Sequence, residues 1–108
     1  MKFRFALLLL SLAATAAQAQ EDTVAETWTA KCKSCHGPDG KAQTQMGKKE
    51  AIQDLSLPSW QKSKTDAQIR QVIAEGSHDN RKMKGYKDKL TPQQIDALVA
   101  YVRGLQKG

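Results

Sequence analysis

The amino-acid sequence predicts an all-α domain in which three main helices are joined by long loops. Three segments combine a helix start signal with apolar residues at helical spacing, whereas no run of alternating polarity is long enough for a strand. The 108 residues contain no internal repeat and suit one small domain. Because such a domain has a thin core, we expect part of its stability to come from a disulfide, a metal or a bound group.

The first residues show the pattern of an export signal. Lys2 and Arg4 precede an apolar run over residues 5–17, which is followed by the small residue Ala19 two positions after Ala17. The run is too short to span a bilayer comfortably, and no second apolar stretch follows it. We predict cleavage before Gln20, so that residues 1–19 are a signal peptide and residues 20–108 form a soluble periplasmic domain. An uncleaved membrane anchor is the alternative.

The first helix is predicted from about Thr23 to Ser34. Thr23 and Glu26 make a capping box at its start. Its apolar stripe includes both cysteines of the chain, and we interpret the tryptophan in this stripe as a core residue. The residues of the stripe are Val24, Trp28, Cys32 and Cys35.

Two further helices have clear boundaries. The second is predicted to start at the N-cap Thr65, to pair this residue with Gln68 in a capping box, and to stop at Gly76. The third is predicted to start at the N-cap Thr91 with Pro92 in its first position. Its wide apolar face is the strongest helical signal in the chain. That face consists of Ile95, Leu98, Val99, Val102 and Leu105.

The pentapeptide Cys32-Lys33-Ser34-Cys35-His36 is the attachment pattern of c-type haem. On a helix, residues three and four apart share one face. The Cys32 and Cys35 thiols can therefore form thioethers with the two haem vinyl groups while the His36 imidazole reaches the iron from the same side. The sequence thus predicts one covalently attached haem c with His36 as a metal ligand.

Three other interpretations of this pentapeptide are weaker. A structural zinc site needs four ligands, yet the chain offers two cysteines, His36 and His78, and His36 directly follows Cys35. A thioredoxin-like redox pair belongs in a context where strands and helices alternate, which the sequence lacks. A structural disulfide is compatible with export but gives no reason for the histidine.

A haem that carries electrons needs a second axial ligand, and a thioether sulfur opposite histidine raises the reduction potential. Met83 is the preferred candidate, because it lies 47 residues after His36 in a polar, basic loop where it has little packing role. Met46 is only ten residues after His36, a short tether for reaching the far side of the ring. His78 is the nitrogen alternative, with an exposed loop position as the simpler interpretation.

Residues 37–64 are predicted to form an omega-type loop with a short helical turn near residues 58–62. The loop is long for a compact domain, but a flat apolar group at the centre would let it bury Leu55, Leu57 and Trp60. We predict that Trp60 binds the cofactor, since its indole N–H can donate to a haem propionate. A packing role for Trp60 is equally compatible with the sequence.

From about Thr23 to Lys107 the chain resembles class I cytochrome c. The similarity is carried by the Cys32–Gly37 haem site, by Trp28 one turn before it, by Met83 ahead of the last helix, and by Tyr101 on that helix. This resemblance implies a cytochrome c-like fold wrapped around one covalent haem, with His36 and Met83 as axial ligands in a low-spin one-electron carrier. Two positions depart from the family: Lys84 replaces the proline that often follows the methionine, and Val24 replaces a small residue.

The charge distribution suggests redox partner proteins. The predicted mature chain has 15 basic and 11 acidic side chains, and a basic group surrounds Met83. We expect this group to steer a partner with an acidic surface toward the haem edge. The basic group consists of Arg81, Lys82, Lys84, Lys87 and Lys89.

We expect a monomer that binds no nucleic acid and performs no bond chemistry. A haem enzyme or gas sensor with an open sixth coordination position on the iron is the rival hypothesis.

Overall fold

The computed structural model describes residues 23–79 and 82–106, so the predicted signal peptide lies outside the described residues. Six helical segments follow one another: α1 over residues 23–31, α2 Lys33–His36, α3 Gln45–Lys49, α4 Pro58–Ser63, α5 Asp66–Glu75 and α6 Pro92–Arg103. Within this part of the chain there is no strand, only one isolated bridge between Gly76 and Lys84. The all-α class is therefore confirmed. No described helix has both the length and the apolar character that a membrane crossing requires.

The starts of α5 and α6 follow the predicted capping signals. The Thr65 hydroxyl accepts from the Gln68 N–H while the Gln68 side chain accepts from the Thr65 N–H, which completes a capping box. Thr91 and Gln94 make the same pair at the start of α6. These boxes satisfy backbone donors that the first turn leaves without helical partners. Gly76 ends α5 with φ at 94°, a conformation that favours glycine.

The first predicted helix is divided in two. Cys32, with φ at −118°, separates α1 from α2. Helical hydrogen bonds nevertheless reach across this point, because the Cys32 N–H donates to Trp28 O and the His36 N–H donates to Cys32 O, both at 2.9 Å. The two segments therefore follow nearly the path of one helix. The Thr23–Glu26 capping box stays a prediction, since Thr23 is the first described residue.

The segment over residues 37–64 contains more helix than the sequence predicted. The expected turn near residues 58–62 is α4, whereas α3 was not predicted. α3 has five residues, one of them Gly47, and is flanked by Ala42 and Ala51 at positive φ. It starts with the Thr44 hydroxyl accepting from the Gly47 N–H. Because α3 is short and lacks an amphipathic pattern, only its three-dimensional contacts reveal it.

The core lies where α1 contacts α6 through Trp28 and where α5 packs against α6. Trp28 is almost fully buried, with its ring centroid 5.0 Å from that of Tyr101. Two ion pairs tie α5 to α6: the Nε atom of Arg70 lies 2.7 Å from Asp96, and that of Arg103 lies 2.7 Å from Asp66. The core also contains Leu55, Ile69, Ile73, Leu90, Ile95, Leu98, Val99, Val102 and Leu105.

Candidate haem-binding site

A cavity of about 290 Å³ opens between α1–α2 on one side and α4, α5 and the Met83 segment on the other. Its walls are mainly apolar, as expected for a site that takes a flat apolar group. Four of the predicted site residues line it: Cys32, His36, Met83 and Trp60. The other apolar lining residues are Trp28, Leu55, Ile69, Val72, Ile73, Leu90, Leu98 and Val102.

The two cysteines are three residues apart in the sequence and are not joined by a disulfide. Cys32 lines the cavity, whereas Cys35 is half-buried and does not. Burial raises the pKa of the Cys32 thiol to about 11, so this group is a neutral thiol at physiological pH. The structure thus leaves both sulfur atoms available for bonds to another group.

His36 presents an unpaired polar atom inside the protein. Its Nδ1 atom is buried and has no hydrogen-bond partner among the described residues. Burial lowers the pKa of His36, which favours the neutral imidazole, the form that binds metals. A buried nitrogen without a partner is costly in free energy, so His36 is suited to a ligand that the polypeptide itself does not supply.

Hydrogen bonds fix the backbone around the haem motif. The Trp28 indole N–H donates to Gly37 O at 3.0 Å, and the Ala42 N–H donates to His36 O at 2.9 Å. The Thr44 hydroxyl donates to Cys35 O at 2.7 Å. These bonds satisfy the carbonyl groups at the end of α2, which no helical N–H reaches. The motif is therefore held by α1 on one side and by α3 on the other.

The candidates for the second axial ligand differ in position. Met83 is half-buried, lines the cavity and packs against the core. Met46 is 37% exposed on α3 and does not line the cavity. His78 is an exposed residue that also lines the cavity. The structure thus brings Met83 and His78 to the site and leaves Met46 outside it.

Trp60 lines the cavity with its indole N–H directed at a protein partner, the Oε1 atom of Gln53, at 3.0 Å. Leu55 also lines the cavity, as expected. Leu57 does not, and the expectation that it would be buried against the ring is wrong, because it is 47% exposed at the N-cap of α4. The loop therefore covers the cavity with Leu55 and Trp60.

Tyr86 is a lining residue that no pattern in the sequence indicated. Its hydroxyl donates to Lys31 O at 3.2 Å, which joins the Met83 segment to the end of α1. Burial raises the pKa of Tyr86, so the phenol stays protonated and keeps this donor. The available signal was an aromatic residue only three positions after Met83. The position of Tyr86 after Met83 does not by itself indicate a hydrogen bond to Lys31, which lies 55 residues earlier in the chain.

The charges at the cavity are all positive among the described residues. Lys31 and Lys64 line it, and no described aspartate or glutamate does. Two lysines of the predicted basic group are instead engaged elsewhere: Lys82 pairs with Glu50 at 2.5 Å, and Lys87 pairs with Glu75 at 3.0 Å. The positive charge at the cavity rim thus comes partly from Lys31 and Lys64, which lie outside the predicted basic group.

These features fit the predicted haem. The cavity is mainly apolar, the half-buried His36 has a buried Nδ1 atom without a partner among the described residues, and a thiol lines the wall one helical turn away. No group of three or more His, Cys, Asp or Glu side chains suited to a bare metal ion occurs in the described part of the chain. The donor set therefore favours iron carried in a ring over a directly chelated ion.

Comparisons with known proteins agree with this assignment. A family model described as "Cytochrome C oxidase, cbb3-type, subunit III" matches residues 19–102. The solved structure of the KustC0563 c-type cytochrome aligns with a TM-score of 0.69 and 35% identity, over 77% of this chain and 96% of that chain. A tyrosine-to-phenylalanine mutant of Kustc0563 aligns with a TM-score of 0.67 and 34% identity, over 77% and 98%. No curated protein matches the chain.

Proposed function

Because this chain belongs to the c-type cytochrome family and therefore carries covalently attached haem c, we propose that it is a periplasmic one-electron carrier with His36 and Met83 as axial ligands. One observation carries the proposal: His36 and Met83 line the same apolar cavity, together with Cys32. The proposal gives each of these side chains a role for which its burial and chemistry are suited.

The α1–α2 unit attaches and orients the haem. Cys32 and Cys35 supply the two thioether sulfurs, and His36 supplies the proximal nitrogen. When bound, the haem supplies a one-electron ferric–ferrous couple. The hydrogen bonds from Trp28 to Gly37 and from Thr44 to Cys35 hold this unit in place, so the residues that would hold the haem are fixed by the protein itself.

The cavity lining tunes the reduction potential. Apolar side chains exclude water from the ring and disfavour the extra positive charge of the ferric state. A thioether ligand from Met83 acts in the same direction. Both effects raise the reduction potential, and neither requires a bond to a substrate to form or break, so we assign no enzymatic reaction to the protein.

Electron exchange requires partner proteins, and the cavity rim indicates their charge. Lys31 and Lys64 are exposed residues on the rim, and no described carboxylate balances them there. A partner with an acidic surface is therefore attracted toward the haem edge, which raises the association rate more than the affinity. The proposed docking surface therefore includes Lys31 and Lys64 in addition to the predicted basic group.

Export follows from the signal pattern and from the cofactor. We propose that residues 1–19 are removed and that residues 20–108 act in the periplasm as a monomer. The start of the family match at residue 19, next to the predicted cleavage site, supports this domain boundary. Sequencing the N-terminus of the exported protein tests it, and a chain that begins at Met1 would contradict it.

The ligand assignment is tested by substituting the two methionines separately. In Met83→Ala, the sulfur-to-iron charge-transfer band of the ferric protein should disappear and the reduction potential should fall, because the thioether ligand is lost. Met46→Ala is the matched control and should leave both unchanged, since Met46 lies outside the cavity. A wild-type ferric spectrum that is already high-spin would favour the rival hypothesis of an open sixth position.

A further inference from the structure

The segment that follows Met83 crosses the C-terminal end of α5 at very short range. The Tyr86 N–H donates to Ile73 O at 2.9 Å, and the Lys87 N–H donates to Ala74 O at 3.2 Å. The Ser77 N–H donates to Met83 O at 3.0 Å. The crossing thus supplies donors to the last carbonyl groups of the helix and binds the backbone of Met83 itself.

Two glycines make this close approach possible, for different reasons. Gly76 has φ at 94°, which side-chain-bearing residues rarely adopt, and a Cβ atom there would lie 2.9 Å from Met83 O. At Gly85 the reason is space, because a Cβ atom would lie 2.4 Å from Ala74 O and 2.6 Å from the carbonyl carbon of Glu75. These neighbours are backbone atoms, which cannot move aside as a flexible side chain can.

Met83 therefore sits at an anchored end of its loop. It accepts the Ser77 hydrogen bond and directly precedes Lys84, which forms the bridge to Gly76. The Tyr86 and Lys87 hydrogen bonds follow and fasten the segment to α5. The segment contains no proline after Met83, since Lys84 follows it directly. The hydrogen bonds of the crossing, rather than a proline, therefore restrict the backbone conformation next to Met83.

We propose that Gly76 and Gly85 are positioning residues for Met83, because the crossing that they permit holds the Met83 side chain in the haem cavity. This inference rests on the proposed role of Met83 as the distal ligand. A larger residue at either position must push the segment away from α5 and carry Met83 with it. The sixth coordination position of the iron then becomes easier for an outside ligand to occupy.

The experiment compares Gly85→Ala and Gly76→Ala with Gly104→Ala in the haem-loaded, full-length mature protein. Gly104 is the matched control, because it has an ordinary helical φ of −69° and its nearest Cβ contact would be 3.3 Å. The two readouts are the sulfur-to-iron charge-transfer band of the ferric protein and the imidazole concentration that half-saturates the iron. Both readouts report the Met83–iron bond rather than overall stability.

In Gly85→Ala and Gly76→Ala the charge-transfer band should weaken. The half-saturating imidazole concentration should fall on the order of tenfold, as expected when overpacking displaces a segment. Gly104→Ala should match the wild type in both readouts. Folded variants of both crossing glycines that keep the wild-type band and imidazole affinity would overturn the inference. A wild type that lacks the band would instead overturn the proposed His36/Met83 ligation.

A measurement on the wild type decides the matter if the alanine variants do not fold. Coupling between two sites is reciprocal, so if the crossing stabilises the Met83–iron bond, then loss of that bond must destabilise the crossing. Saturating imidazole should therefore speed amide hydrogen exchange at Ser77, Tyr86 and Lys87. Exchange at these three amides that does not change when imidazole binds would contradict the inference.

Discussion

At the scale of single residues, Thr44 links the haem motif to the following loop. Its hydroxyl donates to Cys35 O at 2.7 Å and accepts from the Gly47 N–H at 2.8 Å. One side chain therefore satisfies a carbonyl at the end of α2 and a free donor at the start of α3. Gly47 allows α3 to come this close to the haem motif, because a Cβ atom there would lie 2.3 Å from Ala42 O and 2.8 Å from Cys35 O.

Replacing this threonine should destabilise the protein. Thr44→Val keeps the shape of the side chain but removes both hydrogen bonds, so we expect the free energy of unfolding to fall by about 1–2 kcal/mol. Guanidinium unfolding of the haem-loaded protein, followed by helical circular dichroism, measures this change. Thr27→Val is the control, since the Thr27 hydroxyl bonds only within its own helix, to Thr23 O. Equal losses in the two variants would contradict the bridging role.

Some site residues are readable from the sequence and others are not. Cys32, Cys35 and His36 are predicted by their spacing, because one helical turn fixes their relation. Met83 is selected by elimination, from its distance to His36 and its polar surroundings. Thr44 and Tyr86 are missed, because their partners are backbone groups 9 and 55 residues away and neither position carries a local pattern.

At the scale of elements, local signals predict helix boundaries and fail for contacts between helices. The capping boxes of α5 and α6 lie within four residues, so the sequence contains all that is needed to place them. α3 and the packing of α4 depend on distant partners. Gln61 of α4 is the clearest case, because it is 5% exposed and its amide donates to Leu55 O at 2.8 Å and to Val102 O at 2.9 Å.

Arg103 completes a polar connection between α4 and α6. Its Nη1 atom donates to Gln61 O at 2.6 Å and to the Gln61 Oε1 atom at 3.1 Å. Its Nη2 atom donates to Lys64 O, and its Nε atom donates to the Asp66 carboxylate. The connection lies behind the cavity wall that Leu55, Trp60 and Lys64 form. It thus holds α4 and the start of α5 against α6.

Removing the Gln61 amide should therefore cost more than removing an exposed one. Gln61→Met leaves the Leu55 and Val102 carbonyl groups without this donor in a buried place, so the free energy of unfolding should fall by about 2–4 kcal/mol. Gln93→Met, at an exposed position of α6, should change it by less than about 0.5 kcal/mol. Urea unfolding of both variants gives the comparison. A loss at Gln61 as small as that at Gln93 would show that the connection contributes nothing.

At the scale of the whole molecule, the cavity takes up part of the core. Seven core residues also line the cavity, so one side of each belongs to the wall that a bound ring would contact. A small domain gains much of its stability from a bound group that fills such a space. The sequence predicted this dependence on a bound group from chain length and loop composition. The seven core residues that line the cavity are Trp28, Leu55, Ile69, Ile73, Leu90, Leu98 and Val102.

The distribution of charge over the molecule gives a prediction for electron transfer. Changing Lys31 and Lys64 to glutamine should weaken the salt dependence of the electron-transfer rate with an acidic partner, because the attraction at the cavity rim is removed. Stopped-flow kinetics over a range of ionic strength measure it. Lys48 and Lys49, exposed on α3 and away from the cavity, provide a control of equal charge.

The predicted basic group provides a second comparison. Neutralising Lys82, Lys84 and Lys87 tests whether the Met83 segment contributes to docking, although two of these lysines are paired with carboxylates. Their effect should be smaller than that of Lys31 and Lys64. A salt dependence that neither set changes would contradict electrostatic docking at this face of the protein.

The most direct test of the account is whether the exported protein holds its haem by covalent bonds to Cys32 and Cys35. Intact-mass measurement after denaturation and acid–acetone extraction should give a mass equal to residues 20–108 plus one haem, and the protein should keep its haem absorbance. Substituting either cysteine by alanine should reduce the attachment to a single thioether. A wild-type protein that emerges colourless, with the mass of the bare polypeptide or of a Cys32–Cys35 disulfide, would contradict the account.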